Sequence, residues 1–267
     1  MVPGLVCLIL LFFVPIAQIL SLSLTVDSHL SLGNYVEFFG VRGYVKSLYV
    51  TIQLAVGVAL ICAVIGYIVG YQISRMQSRV ASIMLLMVVV PFWTSILIRG
   101  FAMQVLLIPG GLVQRVLATL HVVDPSTDIA HSTAGLLVGM SAVMLPYMVF
   151  PITASLIAID PALEKAASSL GANGWQVFRQ ITFPLSLPGV VAGTLLVFLI
   201  SVGFYILPTL LGSPVDTMLS QLIFGEVNTI LNWGLASAMS IVLVFVTMAV
   251  FAVYARVFGL DQLSGTR

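Results

Sequence analysis

The residues of this chain that could bind a solute are aromatic and hydroxyl side chains set among apolar residues. Trp93, Tyr147 and Tyr205 present ring faces of the kind that attract ammonium groups. Thr94 and Ser95 follow Trp93 directly and add two hydroxyl groups. Helix packing and anchoring at the membrane interface are commoner uses of such aromatic residues. The pattern therefore permits binding of a cationic solute without requiring it.

Arg99 is the one ionisable residue near the outer side of a predicted membrane-embedded stretch. A charge inside the bilayer is costly and usually faces the bundle interior or a water-filled path. The alternative is that its long side chain reaches the outer headgroups from the end of a span. No Asp or Glu falls within a predicted span, so a polycationic solute would find no carboxylate there.

The chain carries no recognisable catalytic or metal-binding motif. His121, Asp124, Asp128 and His131 lie in one connection without a metal-ligand spacing, which favours solvated loop residues. The sequence contains no Gly-x-x-x-x-Gly-Lys-Ser/Thr phosphate loop and no His-Glu-x-x-His helix. We therefore predict no enzyme, no metal and no cofactor in this chain, and any ATP chemistry must reside on a different chain.

Composition places the chain in a membrane. Charged residues make up 7% of its 267 residues and hydrophobic residues 60%, whereas soluble domains carry about 25% charged residues. Six apolar stretches are long enough, at about 20 residues per span, to cross a bilayer as helices. They run about 3–24, 47–73, 80–100, 133–158, 189–211 and 234–258. We predict an all-α, polytopic helix bundle forming a single domain over 1–267, with no nucleic-acid partner.

The basic residues predict the orientation of this bundle. With the N-terminus inside, six basic residues fall on the cytoplasmic side and four outside. The inside set is Arg75, Arg79, Lys165, Arg179, Arg256 and Arg267, and the outside set is Arg42, Lys46, Arg99 and Arg115. The difference favours both termini in the cytoplasm.

The connection 160–188 is the most helix-like polar stretch of the chain. Asp160 is a good N-cap and Pro161 suits the first position of a helix. Gly171 provides a C-terminal stop, Asn173 can cap a second helix, and Pro184 is expected to end it. Apolar residues share one side of each predicted helix: Leu163, Ala166, Ala167 and Leu170 in the first, and Trp175, Phe178 and Ile181 in the second. The pattern favours a docking surface, with a helix lying on the lipid surface as the alternative.

This loop resembles a known family signature. Ala166-Ala167, Gly171-Ala172, and then Phe178, Ile181 and Pro184 are similar to the EAA loop of type I, binding-protein-dependent ABC importer permeases. In that family the loop forms coupling helices that fit a cleft on the ATPase subunit. The Glu that precedes Ala-Ala in the family is Lys165 here, with Glu164 one position earlier. The resemblance thus implies an ATPase-coupling loop over about 160–184.

Further stretches resemble the spermidine/putrescine group of these permeases. They are Pro91–Ser95 with Ile98-Arg99, Gly139 and Leu145–Met148 with Pro151, Gly203–Tyr205 with Leu210–Gly212, and Asn232–Gly234 with Ala236–Ala238. The resemblance implies a polyamine as the solute. Another small amine, an amino-acid-like solute or an aminophosphonate remains open.

The resemblance also implies an assembly in a bacterial inner membrane. Its parts would be this chain, a second and different homologous permease, two ATPase subunits that bind ATP and magnesium, and a solute-binding protein outside the membrane. A stand-alone channel or secondary transporter is the rival class. That class needs no docking loop and often shows internal repeats or intramembrane carboxylates, neither of which is visible in the sequence.

Overall fold

The computed structural model describes residues 2–26, 29–120, 124 and 127–258, with side chains from residue 9 to 256. His121 and Arg267 lie outside the described residues. Helices make up almost all of the described chain. The α-helices are α1 Val2–Ser23, α2 Gly33–Gly40, α3 Arg42–Arg75, α4 Ser78–Val89, α5 Ile96–Leu107, α6 Leu112–Thr119, α7 Thr133–Ile157, α8 Pro161–Ser169, α9 Gly174–Val177, α10 Phe183–Val202, α11 Ile206–Leu211, α12 Leu219–Gly225 and α13 Trp233–Phe258.

Short elements join these helices. Two-residue strands, β1 Thr25–Val26 and β2 His29–Leu30, pair antiparallel. Turns of 3-10 helix cover Val90–Trp93 and Pro214–Asp216, and turns of π-helix cover Phe178–Thr182 and Glu226–Ile230.

The membrane-spanning character predicted from hydropathy is present. Five helical stretches of the described chain are long and apolar enough to cross a bilayer, namely 42–75, 96–119, 133–157, 174–202 and 233–256. Two shorter apolar helices cover 9–23 and 78–93.

Two of the six predicted spans are not continuous helices in the structure, so the prediction was wrong for them. The stretch 80–100 is interrupted at Thr94 and Ser95, whose backbones are extended at ψ 144° and 139°. Pro91 offers no amide to the helix just before this break. The stretch 189–211 is broken after Val202, and its helix begins earlier than predicted because it is continuous with the loop before it.

The chain divides into two compact units. The first contains residues 1–52 and 214–252. Its core is formed by Phe38, Leu219, Leu235, Met239 and Val242. Asn34 fastens α2 to the preceding segment because its side-chain amide donates to the carbonyls of Ser23 and Thr25, each at 3.1 Å.

The second unit contains residues 53–213 and 253–267, and its centre is the pairing of α7 with α10. Gly189 allows this close approach, since a Cβ there would lie 2.4 Å from the carbonyl oxygen of Pro151. Gly66 of α3 packs against Met148 of α7 in the same way. The free thiol of Cys62 is buried and lies 3.4 Å from the carbonyl oxygen of Ser141.

Candidate ATPase-coupling loop and solute site

The first loop helix begins and ends where the sequence predicted. The Asp160 carboxylate accepts a hydrogen bond from the amide of Ala162 at 2.8 Å, and Pro161 occupies the first helical turn. Helix α8 ends at Ser169, and Gly171 follows with φ +92°. That left-handed conformation favours glycine because it has no Cβ. Gly171 therefore sets the bend between the two loop helices.

The second loop helix begins as predicted but does not end at Pro184. Asn173 and Gln176 form a reciprocal capping box, with hydrogen bonds of 2.9 and 2.8 Å. The chain then widens into the π-turn, where the amide of Phe183 donates to the carbonyl of Phe178 five residues earlier. Because the hydrogen-bond pattern has already shifted, the missing amide of Pro184 is accommodated and the helix continues as α10.

Apolar side chains of the loop are left uncovered. Leu170 is 89% exposed, Trp175 67% and Leu163 48%. Ala166 is also exposed, whereas Ala167 and Ala172 are half-buried. Small and large apolar residues thus form one unpartnered surface on two short helices, as a docking surface requires.

Phe178 lies between Trp175 of this uncovered surface and α3. Its ring is 5.7 Å from that of Tyr71, 6.0 Å from Tyr67 and 6.1 Å from Phe183, and it stacks on Trp175 at 5.6 Å. Ile181 is half-buried, while Pro184 is exposed. The aromatic cluster of Tyr67, Tyr71, Trp175, Phe178 and Phe183 therefore supports the loop from within the chain.

An ion pair that the sequence argument missed joins α8 to the last residue of α3. The guanidinium of Arg75 donates to both oxygens of the Glu164 carboxylate, at 2.6 and 2.5 Å, and the hydroxyl of Thr182 donates to the same carboxylate at 2.8 Å. Arg75 also lies over the ring of Tyr71, 5.0 Å from its centre. We call the contact of Arg75, Glu164 and Thr182 the clasp. Its only sequence signal was a basic residue ending an apolar helix.

The clasp fixes the charge of Glu164. Hydrogen bonds from Arg75 are the main cause that lowers the pKa of the Glu164 carboxyl below its ordinary value. Glu164 is therefore ionised at neutral pH. A lowered pKa means that the contribution of the clasp is present above the pKa of a free Glu and is lost as the pH falls through the folded-state value.

A cavity of about 820 Å³ opens beside the clasp. Its lining comes from α3, α8, α9 and the π-turn, and it includes Tyr71, Lys165, Ser168 and Phe178. Lys165 is exposed, and no carboxylate of the described residues pairs with it. The ammonium group of Lys165 is thus available to a partner, while the neighbouring Glu164 is not.

The predicted solute-path residues lie around the break between α4 and α5. Trp93 is 87% exposed, and Thr94 and Ser95 are exposed in the extended segment after it. The Thr94 hydroxyl donates to the carbonyl of Pro91 at 2.7 Å. A helix interrupted at membrane depth is tolerated where it is buried in protein or lines a water-filled cavity, so this break suits a path.

The other predicted path residues are partly buried. Arg99 stands in the first turn of α5, and its Nε is buried without a hydrogen-bond partner among the described residues. Tyr147 of α7 is half-buried and makes a perpendicular ring contact with Phe92 at 4.9 Å. Tyr205 is half-buried in the interruption between α10 and α11.

Glu226, which lies between the predicted spans 189–211 and 234–258, is a buried acid. It opens the second π-turn and is 5% exposed. Its carboxylate accepts one side-chain hydrogen bond, from the hydroxyl of Tyr44 at 3.3 Å, and no cationic side chain of the described residues pairs with it. The turn closes at Leu231, whose φ of 62° is left-handed.

Comparison with known proteins identifies the group in which these features occur. The family model described as "binding-protein-dependent transport system inner membrane component" matches residues 62–259. The spermidine/putrescine transport system permease protein PotB of Escherichia coli (strain K12) is 30% identical over 213 residues, covering 80% of this chain and 78% of the relative. The protein of the same name from Haemophilus influenzae is 30% identical over 256 residues, covering 92% and 89%.

Solved structures agree on the fold. A bacterial ABC transporter involved in the import of the acidic polysaccharide alginate matches with a TM-score of 0.81 and 16% identity, covering 99% of this chain and 94% of that one. The alginate transporter in complex with an alginate-pentasaccharide-bound periplasmic protein matches at 0.79 and 17% identity, covering 98% and 93%. The predicted type I permease fold is thereby confirmed.

Proposed function

Because this chain belongs to the family of binding-protein-dependent transport system inner membrane components, and is thus the permease of an ABC importer, we propose that its solute is a polyamine of the spermidine and putrescine type. The names of the relatives support this substrate class. The structural observation that carries it is Glu226, a carboxylate that is 5% exposed and whose single side-chain partner among the described residues is the Tyr44 phenol. A buried carboxylate without a counter-charge is costly, and an ammonium group of the solute would neutralise it.

The proposed complete transporter has five chains. Our chain and a second, homologous permease form the pore, two ATPase subunits bind ATP and magnesium, and a solute-binding protein delivers the solute. The family description and the alginate transporter's periplasmic protein support the last partner. No residue of this chain carries out chemistry in this proposal. ATP binding shifts the pore between inward-open and outward-open states by stabilising one of them.

The proposed orientation places both termini and the loop 160–184 in the cytoplasm. The excess of basic residues on that side, six against four, supports it. The loop then meets the ATPase through its uncovered surface, with Leu163, Ala166 and Leu170 in contact and Ala167 allowing close approach. Phe178, which packs against α3, contributes by holding this surface in place.

A second solute class is favoured by one observation. The buried Nε of Arg99 has no partner among the described residues, and a guanidinium is well suited to bind a carboxylate or phosphonate through two hydrogen bonds. An amino-acid-like or aminophosphonate solute would satisfy Arg99. A polyamine would not, although Trp93, Tyr147 and Tyr205 could still offer it ring faces.

A pair of variants separates the two solute classes. In proteoliposomes containing the complete transporter, Glu226→Gln should lower spermidine uptake at least about tenfold, since loss of one partner of a buried charge pair costs about 2 kcal/mol or more. Arg99→Gln should lower it less. Unchanged spermidine uptake in Glu226→Gln, together with loss of uptake of an aminophosphonate in Arg99→Gln, would replace the polyamine with the anionic class.

A further inference from the structure

We propose that the clasp of Arg75 with Glu164 is the link through which movement of the coupling helix α8 is passed to the long helix α3. The proposal rests on the proposed docking of the loop on an ATPase. It concerns a different step, the transmission of movement after docking. Glu164 and Arg75 act here as positioning residues, since neither one touches nucleotide or solute.

Chain connectivity alone would not carry the movement to α3. Helix α8 follows α7 directly, and α9 runs through the π-turn into α10, so the loop is covalently continuous with those two helices. Helix α3 ends at Arg75, which lies 89 positions before Glu164 in the sequence. Contacts between residues must therefore carry the movement, and the clasp makes such a contact at the last residue of α3.

The geometry of the clasp constrains the relative orientation of α8 and the end of α3, and not only the distance between them. The two terminal nitrogens of Arg75 each donate to a different carboxylate oxygen, at 2.6 and 2.5 Å, and such a two-point contact restricts the relative orientation of the two groups. The Thr182 hydroxyl holds the same carboxylate at 2.8 Å from the π-turn. One carboxylate thus joins the end of α3, the coupling helix and the start of the α10 segment.

The two neighbouring charges on α8 have separate roles. Successive residues of an α-helix point about 100° apart. Glu164, whose side chain is 18% exposed, is directed at Arg75, whereas Lys165 is exposed. Glu164 is therefore paired within the chain. The charged side chain of α8 that remains available for a contact with the ATPase is the cation Lys165.

The stability of the loop does not depend mainly on this ion pair. The Arg75 side chain is 42% exposed, and ion pairs that solvent reaches contribute little to folding. The aromatic cluster, in which Tyr71 and Phe178 lie 5.7 Å apart, covers the contact of the loop with α3. Breaking the clasp should therefore leave the loop folded, docked and in contact with Tyr71, but should remove the fixed direction in which α8 meets the end of α3.

The test uses the complete transporter in proteoliposomes with the variants Glu164→Gln, Arg75→Gln and the swap Arg75→Glu with Glu164→Arg. Both single variants should retain the ATPase and its basal hydrolysis but lower transport per ATP hydrolysed roughly tenfold, within the range of coupling effects. The swap should recover part of the loss. Arg79→Gln is the matched control, because it removes an exposed basic charge four residues after Arg75 without touching the clasp, and its transport per ATP should stay unchanged.

The outcomes also separate this proposal from the proposed function. Normal transport per ATP in either single variant would overturn it, and so would a swap no better than the single variants. Loss of the ATPase from Glu164→Gln membranes would also overturn it, by showing that the pair serves docking. A wild-type chain that does not retain the ATPase would instead contradict the docking of the loop itself.

Discussion

Gly171→Val is expected to abolish transport and to release the ATPase from the membrane. Gly171 adopts φ +92° at the end of α8. A β-branched residue is strongly disfavoured in that conformation, so the chain must leave it. The turn would then move Leu170, the most exposed large apolar residue of the loop at 89%. Co-purification of the ATPase with the affinity-tagged permease measures the result.

Gly174→Val is the matched control for this experiment. Gly174 lies in the same loop, its added Cβ would meet no atom within 4 Å, and its φ is not left-handed. It should therefore retain the ATPase and most of the transport. The account of the bend is wrong if Gly171→Val keeps the complex whole and transports solute.

Gly189→Val is expected to prevent accumulation of folded protein. A Cβ at this position would lie 2.4 Å from the backbone oxygen of Pro151 and 2.6 Å from the Cβ of Ser155. Backbone atoms cannot move aside as a flexible side chain can, so α7 and α10 would have to separate. Even Gly189→Ala should cost about 1–3 kcal/mol, as overpacked cores do. The thermal midpoint of the detergent-solubilised permease reports the loss.

Gly225→Ala is the matched control, because it shows whether the loss of stability in Gly189→Ala comes from close packing at that position. Gly225 ends helix α12, and a Cβ there would meet nothing within 4 Å. Removing a glycine from a helix is neutral or stabilising by up to about 1 kcal/mol. Equal midpoints for Gly189→Ala and Gly225→Ala would mean that the α7–α10 contact is looser than the structure shows.

Local sequence signals predicted the loop well because they act within one helical turn. Asp160 and Pro161 start α8, Gly171 ends it, and Asn173 starts the next helix, as the residue types required. The error at Pro184 also has a local cause. Proline usually ends a helix because it lacks the amide that would donate to the carbonyl four residues earlier. In the π-turn before Pro184 the hydrogen bonds already run to the carbonyl five residues earlier, so that rule does not apply.

Other features depend on contacts between distant parts of the chain, which hydropathy does not record. The run 80–100 is predominantly apolar, so its average hydropathy predicted one continuous span although Pro91, Thr94 and Ser95 lie within it. Glu226 is buried with Tyr44, which lies 182 positions earlier. Because the boundaries of the apolar stretches placed Glu226 in a connection, its burial became visible only with the fold.

The most direct test of the account is chemical cross-linking from the loop to the ATPase in whole membranes. In a background lacking Cys7 and Cys62, Leu170→Cys should give an adduct with the ATPase subunit. Leu30→Cys, at a residue that is 87% exposed and that the proposed orientation places outside the cytoplasm, should give none. An intact complex with no adduct from Leu170→Cys, or with an ATPase adduct from Leu30→Cys, would contradict the assignment of loop 160–184 as the coupling surface.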